Sequence, residues 1–379
     1  MPLKAELNEL QPGDSFSVAL QRFLTLEKKF QRNNLYLEQY KQFIEEYIKL
    51  GHAKIVDIGE YDVQCGSVYF LAHHAVLNMD SLTTKLRVVF DGSMKSKSGV
   101  SLNDVMMNGP VVQSELFDIL LLWRTFIYTL SCDITKMFRA IRLNSSQTTL
   151  QNILWRDNPS LPIRCLQLQT VTYGLKASTF LATRCLTELA HRFQKEYPLA
   201  AEALFKGTFV DDVISGSHDE DQLVALKNQL IQLLQKGSFD LHKWCSNIAK
   251  VLDDIPDEKK YFEELDINRS NIVKTLGLKC DILNDQLTFT SPSTDCTEIQ
   301  TKRKVISFIG RMFDPLGLIA PIIVIAKLQM QKLWSMNINW DSILPQEQLH
   351  SWISFLDSLQ VNGDSYCSEI CEQSYKHLC

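Results

Sequence analysis

The sequence predicts an α+β fold, and three observations support this class. Two β-prone runs meet at adjacent aspartates in residues 208–215 (TFVDDVIS), which is typical of a hairpin. A second apolar run, residues 126–133 (FIYTLSCD), has the aromatic and branched composition of a strand. Residues 179–193 carry apolar side chains at every fourth position, which indicates an amphipathic helix.

The aspartate pair in the first element is the strongest chemical signal. Aspartate is a poor strand former, so Asp211 and Asp212 are predicted to form the turn of the hairpin. Two carboxylates held there by apolar strands can bind hard divalent metal ions. Phosphoryl transfer by two metal ions needs this arrangement and a third carboxylate from elsewhere. The alternative is an ordinary solvated turn between two strands.

Asp133 is the candidate for that third carboxylate, because it closes the apolar run 126–133. An acid at the end of a strand either serves a site or caps the following helix. Residues 136–142 (KMFRAIR) could be that helix. Both roles for Asp133 therefore remain open at this stage.

The third element is a loop with a glycine, residues 171–178, followed by the helix 179–193. A glycine before the helix allows the backbone to approach a ligand closely, since it has no Cβ. The alternative for Gly174 is an ordinary loop glycine. The apolar stripe predicted to face the core consists of Leu181, Cys185, Leu189 and Phe193.

Further elements follow from the same periodicities. Residues 1–50 are predicted to be helical, and residues 67–71 and 86–90 to be short strands. Ser217 precedes Glu220 by three positions, as in a capping box, and opens a helix that ends near Gly237. The core positions of these helices share helical spacing: Phe23, Leu26, Phe30, Tyr40, Phe43, Ile44 and Tyr47 in the first region, and Leu223, Leu226, Leu230, Leu233 and Leu234 in the second.

Composition is that of an ordinary globular protein, with 45% hydrophobic and 22% charged residues among 379. A chain of this length is expected to hold two or three domains. The net charge of −5 does not favour nucleic acid, but from Lys302 to Lys332 there are six Lys or Arg and one acid, Asp314. Such a stretch can neutralise phosphates even in an acidic chain. A solvated helix face is the alternative.

The ten cysteines are scattered, and no secretory leader is recognised at the N-terminus. Reduced thiols are therefore expected rather than a disulfide framework. The best apolar run, residues 316–326, is too short for a membrane span and contains Pro321. We expect a cytoplasmic location and no membrane partner.

In their order along the chain, the three elements resemble the polymerase core of reverse transcriptases. Their amino-acid sequences are similar to those of the BEL/Pao group of retrotransposons. The supporting motifs lie between about residues 50 and 345, at 71–76 (LAHHAV), 84–93 (TKLRVVFDGS), 99–104 (GVSLND), 173–178 (YGLKAS) and 241–247 (LHKWCSN). The resemblance implies a location inside retroelement particles as the alternative to a cytoplasmic one, and it implies a right-hand polymerase fold. Its parts would be an N-terminal helical lead-in (1–50), fingers (51–125), an antiparallel-sheet palm backed by helices (126–290) and a helical thumb or connection-like segment (291–379).

The resemblance also implies a reaction: two-metal nucleotidyl transfer onto a primer 3′-hydroxyl, directed by an RNA or DNA template. Asp133, Asp211 and Asp212 would bind two Mg²⁺ ions, with Mn²⁺ as a possible substitute. Arg87 and Lys85 would contact the triphosphate of the incoming dNTP, because basic groups match phosphate oxygens.

Other roles are implied residue by residue. Phe138 would exclude the 2′-hydroxyl of ribonucleotides, with a plain core aromatic as the alternative. Tyr173 and Gly174 would lie near the incoming base and the template. Lys243 would donate a proton to pyrophosphate, with an exposed strand-end lysine as the alternative.

Phe209 and Gly277 would contact the primer. Two positions depart from the pattern of the resembling family: Phe209 stands where tyrosine is commoner, and Thr179 stands where proline is frequent. Neither departure removes a catalytic group.

The C-terminal part, from residue 271 to about 344, resembles a segment classified as the Pao retrotransposon peptidase family. Retroelement aspartic peptidases need Asp-Thr/Ser-Gly, and the nearest tripeptide here is Asp57-Ile-Gly59. We therefore expect a peptidase label from family classification for this segment, but no proteolytic activity. No acidic constellation of an RNase H domain and no integrase-like zinc motif is recognised.

Two functional hypotheses remain, and an aspartic peptidase, by family label only, is a distant third. One is an active RNA-directed DNA polymerase, which the intact aspartates favour. The other is a catalytically silent nucleic-acid-binding remnant of a retroelement polyprotein, which the missing parts favour. The oligomeric state is not predicted.

Overall fold

The computed structural model describes residues 1–6, 9, 12–61, 67–77, 86–261, 272–276, 278–281, 286–288 and 300–362. The chain divides into two compact units. The first comprises Met1–Gln113, Ile134–Asp211 and Leu226–Leu241. The second comprises Ser114–Asp133, Asp212–Ala225 and His242–Cys379.

Helices and strands are interspersed as far as residue 288, and the three described elements that follow are all helices. The helices are α1 (Phe16–Arg32), α2 (Asn34–Lys49), α3 (Leu102–Val105), α4 (Leu116–Arg124), α5 (Met137–Ala140), α6 (Ser178–Phe193), α7 (Pro198–Lys206), α8 (Glu220–Lys236), α9 (Ala249–Leu252), α10 (Lys302–Arg311), α11 (Ala320–Ser335) and α12 (Gln346–Asn362). The strands are β1 (Ala53–Val56), β2 (Ala72–Leu77), β3 (Leu86–Asp91), β4 (Tyr128–Thr135), β5 (Asn152–Trp155), β6 (Arg164–Leu168), β7 (Thr208–Phe209), β8 (Asp212–Ser217), β9 (Asp240–Ser246), β10 (Ile272–Thr275), β11 (Leu278–Asp281) and β12 (Gln286–Thr288).

The first unit contains an antiparallel sheet in the order β1–β6–β5 and the antiparallel hairpin β2–β3. Strand β3 confirms the prediction for residues 86–90. The strand predicted at residues 67–71 is wrong, because the ladder begins only at Ala72. Residues 68–71 are buried but make only an isolated parallel bridge, Phe70 to Asn152, instead of a ladder.

The two N-terminal helices are present as predicted, and they cover the sheets of the first unit. Helix α1 packs on β2 and β5, and α2 packs on β1 and β3. Their buried residues include Phe23 and Tyr40 from the predicted core set. The Tyr40 ring stacks on Trp155 at 5.3 Å between centroids and 9° between planes. Large buried aromatic pairs of this kind contribute strongly to stability.

Helix α6 begins one residue before the predicted span and ends at Phe193 as expected. Its buried face is not the predicted stripe, however, since all four stripe residues are only partly buried. The fully buried positions are instead Ala182, Leu186 and Ala190, with Ser178 and Thr183 beside them. Small side chains allow close approach of a neighbouring element, and α7 packs on α6. Hydrophobicity alone therefore identified the wrong face by about one position.

The second unit contains a sheet in the order β8–β4–β9. Strands β4 and β8 are antiparallel, with register from Tyr128↔Ser217 to Asp133↔Asp212. Asn247 closes the start of β4, because its Oδ1 accepts the Thr129 N–H at 2.8 Å. Its amide nitrogen donates to the Ile127 carbonyl oxygen at 2.9 Å. The strand predicted for residues 126–133 is therefore confirmed, shifted by two residues toward the C-terminus.

Helix α8 occupies the predicted span, and its five leucines are buried as expected. The capping-box prediction is wrong, since Ser217 belongs to β8. Asp219 caps the helix instead, accepting the Gln222 N–H on Oδ1 at 2.8 Å. Ser217 accepts the Asp219 N–H at 3.1 Å and so supports the cap from one position further back.

Helices α10 to α12 form a separate hydrophobic cluster in the second unit around Val305, Phe308 and Trp352. The basic stretch lies on α10 and α11, and most of its members are exposed. Lys302 is the exception, because it is only 5% exposed. Its ammonium lies 4.5 Å from the centroid of the Trp334 ring and 5.1 Å from that of Trp340. A plain solvated helix face is therefore the wrong interpretation for this residue.

The cysteines whose side chains the structure describes, Cys132, Cys165, Cys185 and Cys245, carry free thiols. Burial raises the pKa of Cys165 and of Cys245 to about 12. Thiols with such a raised pKa are unreactive at neutral pH.

No helix in the described part of the chain combines the length and apolar character that crossing a membrane requires.

Candidate functional site

Asp133 and Asp212 stand directly opposite each other on antiparallel strands β4 and β8. Directly opposed residues point to the same face of a sheet, with Cβ atoms about 4.5–5.5 Å apart. The Asp133 side chain is 16% exposed, and its neighbours Cys132 and Ile134 are buried. The cap interpretation of Asp133 is wrong, since the N-cap of α5 is Lys136. The ladder therefore brings two of the three predicted carboxylates together.

The Cys132 thiol on β4 is affected by the charges of both aspartates. Burial raises the pKa of Cys132 well above its usual value, and the negative charges of Asp133 and Asp212 raise it further. A fully buried neutral thiol behind the pair provides apolar support.

The turn before β8 is formed by Val210 and Asp211, not by the aspartate pair, because Asp212 already belongs to the strand. Val210 has φ 57°, which is an outlier for a β-branched residue. Its N–H donates to Oε1 of Gln113 at 3.0 Å. The Asp211 carbonyl oxygen accepts the Ile134 N–H at 2.7 Å. Backbone strain of this kind persists where surrounding contacts hold it, and it is frequent at functional sites.

Gln113 is a residue that sequence reasoning missed. It lies 97 positions before Val210, and no local pattern marks it. Only the tertiary structure places its amide oxygen at the turn that presents Asp211.

Lys243 lies inside β9 rather than at a strand end, but it is exposed, as the alternative for it predicted. Its Nζ is 3.4 Å from Oδ2 of Asp133, and its side chain is 49% exposed. Its backbone is left-handed, with φ 53°. The ammonium therefore balances the charge of one carboxylate of the pair.

Phe138 lies on α5, which is a single turn and shorter than the helix predicted for 136–142. Its side chain is half-buried, and its ring centroid lies 6.4 Å from that of Tyr173. Tyr173 in turn donates its hydroxyl to the Val88 carbonyl oxygen at 2.5 Å. Phe138 is thus only partly buried, unlike a plain core aromatic.

Gly174 has φ 92°, and a Cβ there would lie 2.0 Å from the Phe90 carbonyl oxygen. The chain's own backbone therefore requires glycine at this position. The close approach of strand β3 explains the glycine at this position, and the approach of a ligand is not needed to explain it.

The remaining predicted residues are distributed as follows. Arg87 is exposed on β3, and Phe209 is half-buried on β7. Burial raises the pKa of Tyr173, while the positive charges of Arg139 and Arg87 oppose that rise, so Arg87 acts on the Tyr173 hydroxyl. Lys85 and Gly277 lie outside the described residues.

The donor chemistry of the aspartates suits Mg²⁺, which prefers oxygen ligands and uses one or two carboxylates together with substrate phosphates. A complete cage is not preformed, because the described residues contain no group of three or more His, Cys, Asp or Glu arranged to hold a metal ion. Mg²⁺ requires only one or two carboxylates from the protein, and the opposed pair Asp133 and Asp212 supplies two.

Comparison with known families gives one match. Residues 301–369 match the family described as Pao retrotransposon-like RNaseH-like domain. This match supports an origin in a retroelement polyprotein and agrees with the Pao part of the resemblance. The family's description is RNaseH-like and does not name a peptidase, so it gives no support to the peptidase label expected for this segment. No match was found among curated proteins.

The solved structures with a similar fold include two foamy viral proteins. A foamy viral protease-reverse transcriptase in complex with RNA/DNA hybrid is 14% identical, with a TM-score of 0.56 over 86% of this chain and 37% of that chain. A foamy viral protease-reverse transcriptase dRH in complex with ds DNA is also 14% identical, with a TM-score of 0.52 over 85% of this chain and 48% of that one. The mixed α/β fold therefore resembles a retroviral reverse transcriptase. The chain spans less than half of the length of either structure.

Proposed function

We propose that the chain is an RNA-directed DNA polymerase from a BEL/Pao-like retroelement, with the right-hand layout of fingers, palm and thumb. The observation that supports this most is the register that opposes Asp133 and Asp212, with Asp211 on the strained turn immediately before β8. Reverse-transcriptase folds of known structure resemble the chain over most of its length. An aspartate pair at a strand junction in such a fold favours nucleotidyl transfer over simple binding.

In the proposed reaction, Asp133, Asp211 and Asp212 would hold two Mg²⁺ ions, or Mn²⁺ in their place. When bound, the metal ions would lower the pKa of the primer 3′-hydroxyl and neutralise the leaving pyrophosphate. The substrates would be dNTPs and a primer paired to an RNA or DNA template.

The protein's own groups would do the rest. Lys243, now paired with Asp133, would turn its ammonium to the pyrophosphate and donate a proton to it. Arg87, with Lys85, would bind triphosphate oxygens from the fingers. Phe138 would occupy the space of a ribonucleotide 2′-hydroxyl and thereby select deoxynucleotides.

Tyr173 and Gly174 would support the incoming base and the template. Phe209 and Gly277 would contact the primer. Phe209 lacks the hydroxyl of tyrosine, so this primer contact would be an apolar one.

A nucleic-acid-binding remnant is the second candidate, and one observation favours it. The Asp133 carboxylate already has a cation partner in Lys243, as in a site that no longer binds metal. In this case the chain would bind primer-template and fail to extend it.

Two acids of the RNaseH-like segment have structural partners and therefore do not favour RNA hydrolysis there. Asp314 accepts the Leu318 and Ile319 N–H groups, and Asp341 pairs with Arg303.

Primer extension on an RNA template, with dNTPs and Mg²⁺ or Mn²⁺, tests the proposal. The variant Asp211→Asn is expected to abolish extension, and the exposed control Asp253→Asn is expected to leave it unchanged. EDTA should stop the reaction, and added Mg²⁺ should restore it. Binding of primer-template by the wild type without extension would favour the remnant instead.

A further inference from the structure

Glu46 of helix α2 contacts Lys136, the N-cap of the α5 turn that carries Phe138, and Arg139, which lies within that turn. Its Oε1 lies 2.5 Å from Lys136 Nζ and 3.0 Å from Arg139 Nη2. The Glu46 side chain is 41% exposed, whereas that of Arg139 is 9% exposed. One carboxylate therefore joins an N-terminal helix to the start and to the interior of the turn that carries Phe138.

The Arg139 guanidinium is enclosed on its other sides. Its Nε donates to Nδ1 of His52 at 3.0 Å, and its central carbon lies 4.1 Å from the Tyr47 ring centroid. Burial, with the positive charges of Arg139 and Lys136, lowers the pKa of His52 to about 4. The imidazole is thus neutral at pH 7 and can accept this hydrogen bond. A buried guanidinium needs a counter-charge, and Glu46 supplies it.

The electrostatics of Glu46 agree with this role. Partial burial raises its pKa, but the hydrogen bond from Lys136 and the charges of Arg139 and Lys136 outweigh that effect and lower it. The carboxylate is therefore ionised at neutral pH and holds both cations together.

The Phe138 turn cannot hold its own shape. Helix α5 has four residues, and a single helical turn is unstable without outside contacts. It starts from Lys136 in a left-handed conformation, whose carbonyl oxygen accepts the Arg139 N–H at 2.8 Å and the Ala140 N–H at 3.2 Å. The side chains of Lys136 and Arg139 are the links through which α2 fixes this turn.

We infer that Glu46 is a positioning residue that sets sugar selectivity, because it fixes the turn from which Phe138 projects. This inference rests on the proposed polymerase function. Glu46 touches no substrate in this account. It acts through Lys136 and Arg139, and loss of its charge lets Phe138 shift away from the position where it excludes a 2′-hydroxyl.

The test compares incorporation of a dNTP and the matching rNTP by the wild type, Glu46→Gln and Glu45→Gln. Glutamine keeps the size of Glu46 and removes its charge, and Glu45 is the exposed neighbour on the same helix. Glu46→Gln is expected to lower the ratio of kcat/KM values for dNTP over rNTP by about 10-fold, which is less than the roughly 100-fold effect of a 1 Å misplacement. Glu45→Gln should leave the ratio unchanged, and Glu46→Asp should restore part of it.

A double-variant cycle separates positioning from general damage. Phe138→Ala should remove most of the selectivity, and Glu46→Gln should add nothing in that background. An equal loss for both nucleotides in Glu46→Gln, or a further loss of selectivity beyond Phe138→Ala, would overturn the inference. Glu46→Gln could lower the melting temperature strongly. In that case Lys136→Gln, which breaks the same ion pair from its exposed side, replaces it, and the dNTP-over-rNTP ratio of Lys136→Gln tests the inference.

The proposed function fails separately from this inference. If the wild type extends the primer with neither dNTP nor rNTP, both the polymerase proposal and this inference are overturned. A wild type that extends, with an unchanged selectivity ratio in Glu46→Gln, overturns the inference alone.

Discussion

The ammonium of Lys243 lies 3.4 Å from a carboxylate oxygen of Asp133, so the first of the predicted metal ligands is paired with a protein cation. Such a pair is exposed on the lysine side, where solvent weakens the attraction. A divalent ion carries twice the charge and can displace the lysine. Binding of Mg²⁺ would then free the ammonium for the triphosphate.

Lys243→Ala is therefore expected to have two opposite effects. Removal of the competing cation should lower the Mg²⁺ concentration for half-maximal extension. Loss of the proton donor should lower kcat by about 100-fold, the lower end for general acid catalysis. Steady-state extension over a Mg²⁺ titration measures both, with Lys250→Ala, another ion-paired surface lysine, as the control. A rise in the Mg²⁺ requirement would contradict the competition.

Asp212→Asn is expected to stabilise the metal-free protein and abolish extension. Like charges directly opposite on a ladder repel, and removal of one at the Asp133↔Asp212 position should raise the free energy of unfolding by about 0.5 kcal/mol. Urea denaturation in EDTA measures the gain. A loss of stability would show that Asp212 makes a favourable contact that outweighs this repulsion.

Val210→Gly tests the strain at the turn. A β-branched residue with φ 57° pays a backbone cost of about 1–2 kcal/mol that glycine avoids, while glycine adds chain entropy to the unfolded state. The net expectation is a gain of up to about 1 kcal/mol in the free energy of unfolding, with slower extension because the turn is less rigid. Val210→Ile, which keeps the branched Cβ, should leave stability near that of the wild type. A clear loss of stability in the glycine variant would mean that Val210 side-chain packing exceeds the strain.

His73 should make stability depend on pH. Burial lowers its pKa to about 4, and it is held between the Tyr40 hydroxyl at Nδ1 and the Leu154 carbonyl oxygen at Nε2. The unfolded histidine titrates near 6.5, so between about pH 6.5 and 4 the unfolded state binds a proton that the folded state does not. Stability is thus fully present above about pH 6.5 and decreases as the pH falls, by up to about 3 kcal/mol at pH 4.

Denaturation curves from pH 7 to 4 measure this slope, and His73→Gln should reduce it. His52 has the same direction of shift, but its greater exposure makes its share smaller, so some slope should remain. An unchanged slope in His73→Gln would exclude His73 as the main titrating group.

Gly174→Ala and Gly99→Ala form a matched pair. Both positions have a positive φ, 92° and 82°, but a Cβ at Gly99 meets nothing within 4 Å while one at Gly174 meets the Phe90 carbonyl oxygen. Gly99→Ala should cost about 1 kcal/mol from its backbone conformation. Gly174→Ala should cost at least about 2 kcal/mol more, because backbone must move. Equal costs in thermal denaturation would mean that strand β3 yields without resistance.

Local patterns predicted most elements of this fold. The helical spacing of Phe23, Leu26 and Phe30 identified α1, and the leucine stripe of α8 identified its core face. These predictions succeeded because apolar periodicity records directly which side of an element is buried. They failed where burial depends on a neighbour, as in α6, where the small residues Ala182 and Ala190 rather than Leu181 and Leu189 are fully buried.

Caps and turns were predicted less well, since a polar residue near an element's end has several partners within reach. Asp219 rather than Ser217 caps α8, and Val210 rather than Asp212 forms the turn. The choice depends on where the preceding strand ends, which its ladder sets.

The sequence by itself determined the chemistry of the candidate site, because the residue types Asp133, Asp211, Asp212 and Lys243 and their order can be read directly. Only the tertiary structure decided how they pair. It opposed Asp133 to Asp212, brought Lys243 to Asp133, and joined Glu46 to Arg139 across 93 positions of sequence. Contacts between distant residues depend on strand register and helix packing, which follow from the whole buried core and leave no local trace in the chain.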